Sequence, residues 1–211
     1  MTIIVINPNS NEAVTQGLRD ALTPFPNVDC ITLKEGPFGI ESQRDSDSVI
    51  LPMLDLIQTH PDASAFVIAC YSDPGIDTAK SVCSVPVFGM QEAAVTTAMC
   101  RADMFGIIAI GEGSIRRHRK YMRRMGVLDR LAGERALNMS VDETARGANT
   151  YKRLTEVGAQ LIEDGAQCLI LGCAGMAKHR SPLEADLGVP VIDPTQAAVA
   201  MALGTVLASS F

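Results

Sequence analysis

Two cysteines, Cys70 and Cys173, each close a short apolar run, Phe66-Val67-Ile68-Ala69-Cys70 and Cys168-Leu169-Ile170-Leu171-Gly172-Cys173. Continuous runs of this kind read as strands buried on both faces of a parallel sheet. The thiols therefore sit at strand ends, each followed by small residues and an expected helix start. A free thiol, with a pKa of about 8.5, is a poor base at neutral pH, and a helix N-terminus can lower that value by stabilising the thiolate. One thiolate and one thiol on opposite faces of a carbon acid would take a proton from one side and return it to the other. That is racemisation or epimerisation, and it requires no cofactor.

The elements that must position the pair follow from the hydrophobic pattern. Ile3 to Ile6 reads as a first strand, and Asn7-Pro8-Asn9-Ser10 as a turn in which Ser10 caps a helix from Asn11 to about Ala21. A second strand spans Val28 to Leu33, a long polar loop 34–47, and a helix Val49 to Thr59. Ala65 to Cys70 is the third strand. Asp73-Pro74 is expected to cap and open a helix to about Ser81, before a short strand at Pro86-Val87-Phe88 and an Ala-rich helix from Glu92 to Cys100. The second half runs Met104 to Ile110 (strand), Ser114 to Met125 (helix), Ala136 to Val141 (strand), Asn149 to Asp164 (helix), Cys168 to Cys173 (strand), Pro190 to Ile192 (strand) and Thr195 to Ala208 (helix).

The halves match. Val85-Pro86-Val87-Phe88-Gly89-Met90-Gln91-Glu92-Ala93-Ala94-Val95 aligns with Val189-Pro190-Val191-Ile192-Asp193-Pro194-Thr195-Gln196-Ala197-Ala198-Val199 at an offset of 104, Ser10 aligns with Ser114 at the same offset, and Cys70 with Cys173 at 103. Shared offsets at several landmarks indicate an internal repeat. The expected fold is α/β, with two subdomains related by a pseudo-twofold, each holding a four-stranded parallel sheet flanked by helices, and an active site in the cleft between them. The expected division is residues 1–98, joined by the C-terminal helix 195–211, and residues 99–194. Ligands of such sheets bind beyond the carboxyl ends of the strands, where Asn7, Cys70, Gly111 and Cys173 fall.

Composition narrows the function classes. With 24 acidic and 18 basic residues and a net charge of −6 in 211 residues, the chain is a poor partner for nucleic acid. No apolar run approaches the roughly 20 residues of a membrane span, and Met1-Thr2 leads directly into the first strand without a basic leader. Six cysteines without CxxC spacing read as reduced thiols, so the expected location is the cytoplasm. Cys30, Cys83, Cys100 and Cys168 read as small core residues. Gly111-x-Gly113 ahead of Arg116 lacks the third glycine of a dinucleotide site, Arg116 to Arg124 reads as a solvated or subunit-contacting helix, and His60, His118 and His179 form no metal-ligand pattern.

The motifs resemble those of the hydantoin racemase group of the aspartate/glutamate racemase superfamily, which also holds allantoin racemases, arylmalonate decarboxylases and maleate isomerases. They are Ile6-Asn7-Pro8-Asn9-Ser10, Gly36-Pro37 with Ile40-Glu41, Cys70 followed by Asp73-Pro74-Gly75, Gly89 with Glu92-Ala93-Ala94, Leu171-Gly172-Cys173-Ala174-Gly175-Met176 and Val191-Ile192-Asp193-Pro194. They run through essentially the whole chain. The resemblance implies two-base catalysis by Cys70 and Cys173 without cofactor or metal. It also implies that Tyr71, Ser72, Ala174 and Gly175 donate hydrogen bonds to an enolate-like intermediate, with Asn7, Gly113 and Ser114 as further substrate-binding positions and a homo-oligomer as the assembly. Free amino-acid racemases of the superfamily carry Asp where this chain has Asn7. A neutral residue there suits a neutral cyclic ureide, a 5-substituted hydantoin or allantoin. The loop Gly111-Glu112-Gly113-Ser114 departs from the expected Thr-rich or apolar pattern. The competing readings are an aspartate/glutamate-type amino-acid racemase and a non-catalytic two-lobed protein that closes on a small polar ligand.

Overall fold

The computed structural model describes residues 1–209 and places two parallel sheets side by side. The first half runs β1 (Ile3–Asn7), α1 (Glu12–Leu22), β2 (Val28–Thr32), α2 (Gln43–Ser48), α3 (Ile50–Gln58), β3 (Ala65–Ile68), α4 (Ile76–Val82), β4 (Val87–Gly89) and α5 (Met90–Arg101). The second runs β5 (Phe105–Ala109), α6 (Glu112–Met125), β6 (Leu131–Ala136), α7 (Val141–Arg146), α8 (Thr150–Glu163), β7 (Cys168–Gly172), α9 (Arg180–Leu187), β8 (Val191–Ile192) and α10 (Pro194–Ala208). Short 3-10 turns occupy Leu128–Arg130 and Ala174–His179. The strand orders, β2-β1-β3-β4 and β6-β5-β7-β8, are the same pattern displaced by four strands, and every pairing is parallel.

Hydrophobic pattern and position in the sheet agree. The central strands β1, β3, β5 and β7 are buried at every residue, as helices on both faces require. Edge strands β2 and β6 mix buried with partly exposed positions. One apolar core runs through both halves, from Ile3, Val5 and Val67 to Ile107, Ile108 and Leu171. A second, smaller core lies on the other face of the first sheet, where Ile4, Ile6, Phe66 and Ile68 meet Met53, Ile57 and Ile76. Helix α10 packs on α5, β3 and β4. The last two residues of the expected C-terminal helix lie outside the described residues.

Several local expectations are corrected. Asn11, not Ser10, caps α1, its side chain accepting from the Ala13 N–H at 3.0 Å. Helix α6 begins at Glu112 behind Gly111, so Ser114 is buried inside the first turn and caps nothing. The sixth strand lies at Leu131–Ala136, five residues before the expected one. Its Leu-Ala-Gly-Glu-Arg-Ala sequence has no β-branched residue, and pairing with β5 holds it. Val141 instead opens α7, because Ser140 and Glu143 form a reciprocal capping box. Part of the 34–47 loop is helical (α2), capped by Ser42 with Asp45 in the same way. Cys100 is exposed rather than in the core.

Asp73 is the most informative correction. It does not cap α4, which starts only at Ile76 behind Gly75 in the left-handed region at φ 66°. Asp73 itself turns at φ 43° and reaches across to α5, where its two oxygens accept from the Gln91 N–H at 2.9 Å and the Glu92 N–H at 3.0 Å. Gly89, the residue ahead of α5, makes room for it: a Cβ there would lie 2.4 Å from the Asp73 carboxylate.

Candidate active site

The carboxyl ends of β1, β3, β5 and β7 converge on one small cavity, lined by Asn9, Ile40, Ala69, Cys70, Tyr71, Ser72, Ile110, Ser114, Arg117, His118, Val141, Gly172, Cys173 and Ala174, with Val14 of α1 at its base. Both cysteines therefore face the same space from opposite halves of the duplicated fold. The cavity holds about 30 Å³, the share of about one water molecule. A wider cleft of about 230 Å³ adjoins it, sharing Ser72 and Arg117 and lined further by Asp47, Ile50, Lys120 and Tyr121.

Burial dominates the electrostatics of the pair. It pushes the Cys70 thiol up to about 12, against the pull of a hydrogen bond from the Ser72 N–H and of the Arg117 guanidinium. It raises Cys173 as well, opposed by hydrogen bonds from the Gly175 N–H and the Thr144 hydroxyl and reinforced by the charges of Glu41 and Asp193. The expected lowering of both thiols by helix N-termini is thus overturned. Helix α4 begins six residues after Cys70, a 3-10 turn follows Cys173, and one N–H bond to each sulfur does not offset its removal from water. A charge on Cys173 also raises the Cys70 thiol, so the pair holds at most one negative charge comfortably.

Of the other expected site residues, Tyr71, Ser72, Ser114 and Ala174 line the cavity. Asn7 does not. It is fully buried, its Nδ2 donating to Asn9 Oδ1, the Asn11 carbonyl and Thr15 Oγ1 at 3.0–3.2 Å while its Oδ1 accepts from the Asn9 N–H. That network shapes the turn and leaves Asn9 facing the cavity. Gly113 also stands outside, its carbonyl accepting from Arg117 at 3.2 Å. Gly175 stands behind Cys173, and a Cβ there would lie 2.8 Å from Thr144 Oγ1. Glu112 is exposed.

Three polar residues were not singled out from sequence. Arg117 donates from Nε to Ser72 Oγ (3.2 Å), and through its terminal nitrogens to Ser114 Oγ (3.2 Å) and the Glu41 carbonyl (3.0 Å). His118 is buried, with Nδ1 2.6 Å from Glu134 Oε1 and its ring edge-on to Tyr71 at 4.8 Å. Thr144 lies 3.6 Å from the Cys173 sulfur. The signal for His118 was spacing: Ser114, His118 and Met122 recur every fourth residue and form the buried stripe of α6, with Arg117 beside it, and the dense charge around them obscures it.

The comparisons agree with this geometry. The family model described as Asp/Glu/Hydantoin racemase matches residues 3–202. A hydantoin racemase of Paenarthrobacter aurescens is 36% identical over 96% of this chain and 89% of its own length. One of Pseudomonas sp. (strain NS671) is 33% identical over 96% and 84%. An allantoin racemase structure from Klebsiella pneumoniae superposes with a TM-score of 0.94 at 28% identity, covering 99% of this chain and 89% of that one. With near full-length matches to both the family model and hydantoin racemases, the chain belongs to the Asp/Glu/hydantoin racemase family.

Proposed function

We propose that this racemase interconverts the enantiomers of a neutral cyclic ureide, a 5-substituted hydantoin or allantoin, with Cys70 and Cys173 as the two bases. One observation carries the reading: the two thiols, at equivalent strand ends of a duplicated fold, line a single cavity. In the forward step one thiolate takes the proton from the chiral carbon, becoming S–H, and the electron pair moves onto the adjacent carbonyl oxygen as an enolate. The other thiol then gives its proton to the opposite face of that carbon and becomes the thiolate. Nothing else is consumed, so the step balances without an added reactant. The Ser72 and Gly175 N–H groups are directed at the sulfurs, so Tyr71 and Ala174 are the donors left beside each thiol for the enolate. Such fixed donors are worth roughly 3 kcal/mol or more each.

A five-membered ring with two carbonyl oxygens exceeds the cavity as it stands, so its walls part to admit substrate. The shared apolar core opposes a hinge between the lobes. Motion falls to the 34–42 loop and α7, which meet through the Val141 N–H to Glu41 Oε1 bond (3.0 Å), while Asn11 Nδ2 ties the cap of α1 to Asp142 Oδ1 of α7 (3.0 Å). The six free cysteines suit the reducing cytoplasm, and exposed Phe38, Leu51 and Val82 offer apolar surface to a second copy in a homo-oligomer. Among the described residues no helix is long and apolar enough to cross a membrane.

The test is exchange of the substrate's α-proton in heavy water, followed by NMR and polarimetry on single enantiomers of hydantoins, allantoin, aspartate and glutamate. The expected result is exchange with racemisation of the cyclic ureides alone. Racemisation of aspartate or glutamate, or an inert protein that merely binds the ring, would overturn the proposal.

A further inference from the structure

The repeat places the same backbone around both thiols but not the same side chains. Helix α6 crosses to the Cys70 loop, and α1 packs on the turn after Cys173. At the offset of 104, Arg117 corresponds to Ala13 and His118 to Val14. Cys70 therefore shares its wall with a guanidinium that is tied to Ser72, two residues on, whereas Cys173 has no cation from the matching helix. Near Cys70 the ionisable neighbours are Arg117 and Asp73; near Cys173 they are the acids Glu41 and Asp193.

We propose that the two bases are unequal before substrate arrives: when the pair ionises, Arg117 keeps the negative charge on Cys70, and Cys173 retains its proton. This rests on the two-base reading. It makes Cys70 the proton acceptor and Cys173 the donor for one enantiomer in the resting enzyme. Turnover of that enantiomer leaves a Cys70 thiol and a Cys173 thiolate. The resting form returns by the reverse turnover or by proton exchange with solvent. Arg117 is a positioning residue here, acting on the substrate only through Cys70.

The experiment measures alkylation of the ligand-free protein by neutral iodoacetamide, with the modified cysteine located by peptide mass spectrometry. Cys70 is expected to react before Cys173. Arg117→Met should slow Cys70 modification on the order of tenfold, since an adjacent opposite charge is worth a unit or more of pKa, while Arg117→Lys retains the wild-type order and most of the rate. Arg116→Met, which removes an exposed charge one residue away, should change neither. The sign separates charge from access: if Arg117 merely blocks the entrance, Arg117→Met accelerates Cys70 modification, and the proposal fails. It fails equally if Cys173 reacts first in the wild type, or if Arg117→Lys slows Cys70 as much as Met does. None of these readouts requires turnover. An inactive protein with the expected labelling pattern would therefore count against the function and not against the charge assignment.

Discussion

Helices α5 and α10 are the same element in the two halves, yet their exposed N–H groups are satisfied by carboxylates from different places. Asp193 caps α10 from the adjoining position, accepting from the Gln196 N–H at 2.8 Å. The matching residue before α5 is Gly89, and the carboxylate arrives from Asp73, on the loop after Cys70. A helix start needs an acceptor, and the repeat preserves the need without preserving the residue. Because the acceptor for α5 comes from the Cys70 loop, that loop is pinned to a helix three elements further on. The Cys173 loop is a self-contained 3-10 turn backed by Thr144. Duplication fixes where the thiols stand; what has diverged since then fixes how each is held and charged.

The most drastic way to break this comparison is to remove one thiol. Cys70→Ser and Cys173→Ser should each lower racemisation by about 10²–10⁴, the usual contribution of a positioned acid or base, while exchange in heavy water survives on one enantiomer and differs between the two mutants. Polarimetry and NMR on separate enantiomers read both effects. A mutant that racemises at the wild-type rate would remove its cysteine from the mechanism.

The cap comparison gives the next largest effect. Gly89→Ala drives a Cβ to 2.4 Å from the Asp73 carboxylate and should cost about 1–3 kcal/mol as overpacking, with disturbance of the Cys70 loop and reduced activity. Asp193→Ala loses a local cap, worth about 1 kcal/mol, without crowding anything. Urea denaturation should rank Gly89→Ala as the more damaging. The opposite ranking would mean that the Asp73 reach is dispensable.

A pH series sharpens the same contrast. Burial raises Asp73 from 3.8 to about 8, against its two N–H bonds. Burial likewise raises Asp193 from 3.8 to about 6. A carboxyl whose folded pKa lies above its unfolded one binds more protons when folded, so its contribution to stability shrinks as pH climbs from the unfolded to the folded value. Stability should therefore decline from about pH 4 to 8 through Asp73, and only to about pH 6 through Asp193. Asp73→Asn should flatten the slope between pH 6 and 8, and Asp193→Asn should leave that window unchanged. Melting temperatures across the series decide it.

The strand order, the repeat and the meeting of Cys70 and Cys173 were legible because they rest on apolar runs and on spacing, which are local signals. Cap assignments were less so. Asp73-Pro74-Gly75 looks like a helix start, and only the tertiary path shows its carboxylate serving α5. Asn7 carries the expected turn, but whether its amide faces the ligand or its own loop depends on Thr15 and Asn9 closing around it. Arg117 and His118 were hidden by composition: seven basic or histidine side chains between positions 116 and 124 look like a solvated surface until the inward stripe is known.

The smallest expected effect comes from that same helix. Arg124 lies two turns beyond Arg117 and also reaches the first half, donating to Asp77 Oδ2 at 2.7 Å. Both arginines cross between lobes, and both line the outer cleft. Their difference is solvent. Arg117 is partly buried beside Cys70, where few water dipoles screen it. The Arg124–Asp77 pair is 58% and 64% exposed, in the range where ion pairs add little once side-chain entropy and screening are counted. Arg124→Ala should leave the denaturation midpoint and the Cys70 alkylation rate indistinguishable from wild type in moderate salt. If it slows Cys70 alkylation as Arg117→Met is expected to, the diffuse charge of α6 would be setting the thiol rather than the one guanidinium that touches Ser72. The two arginines would then be interchangeable, which their burial argues against.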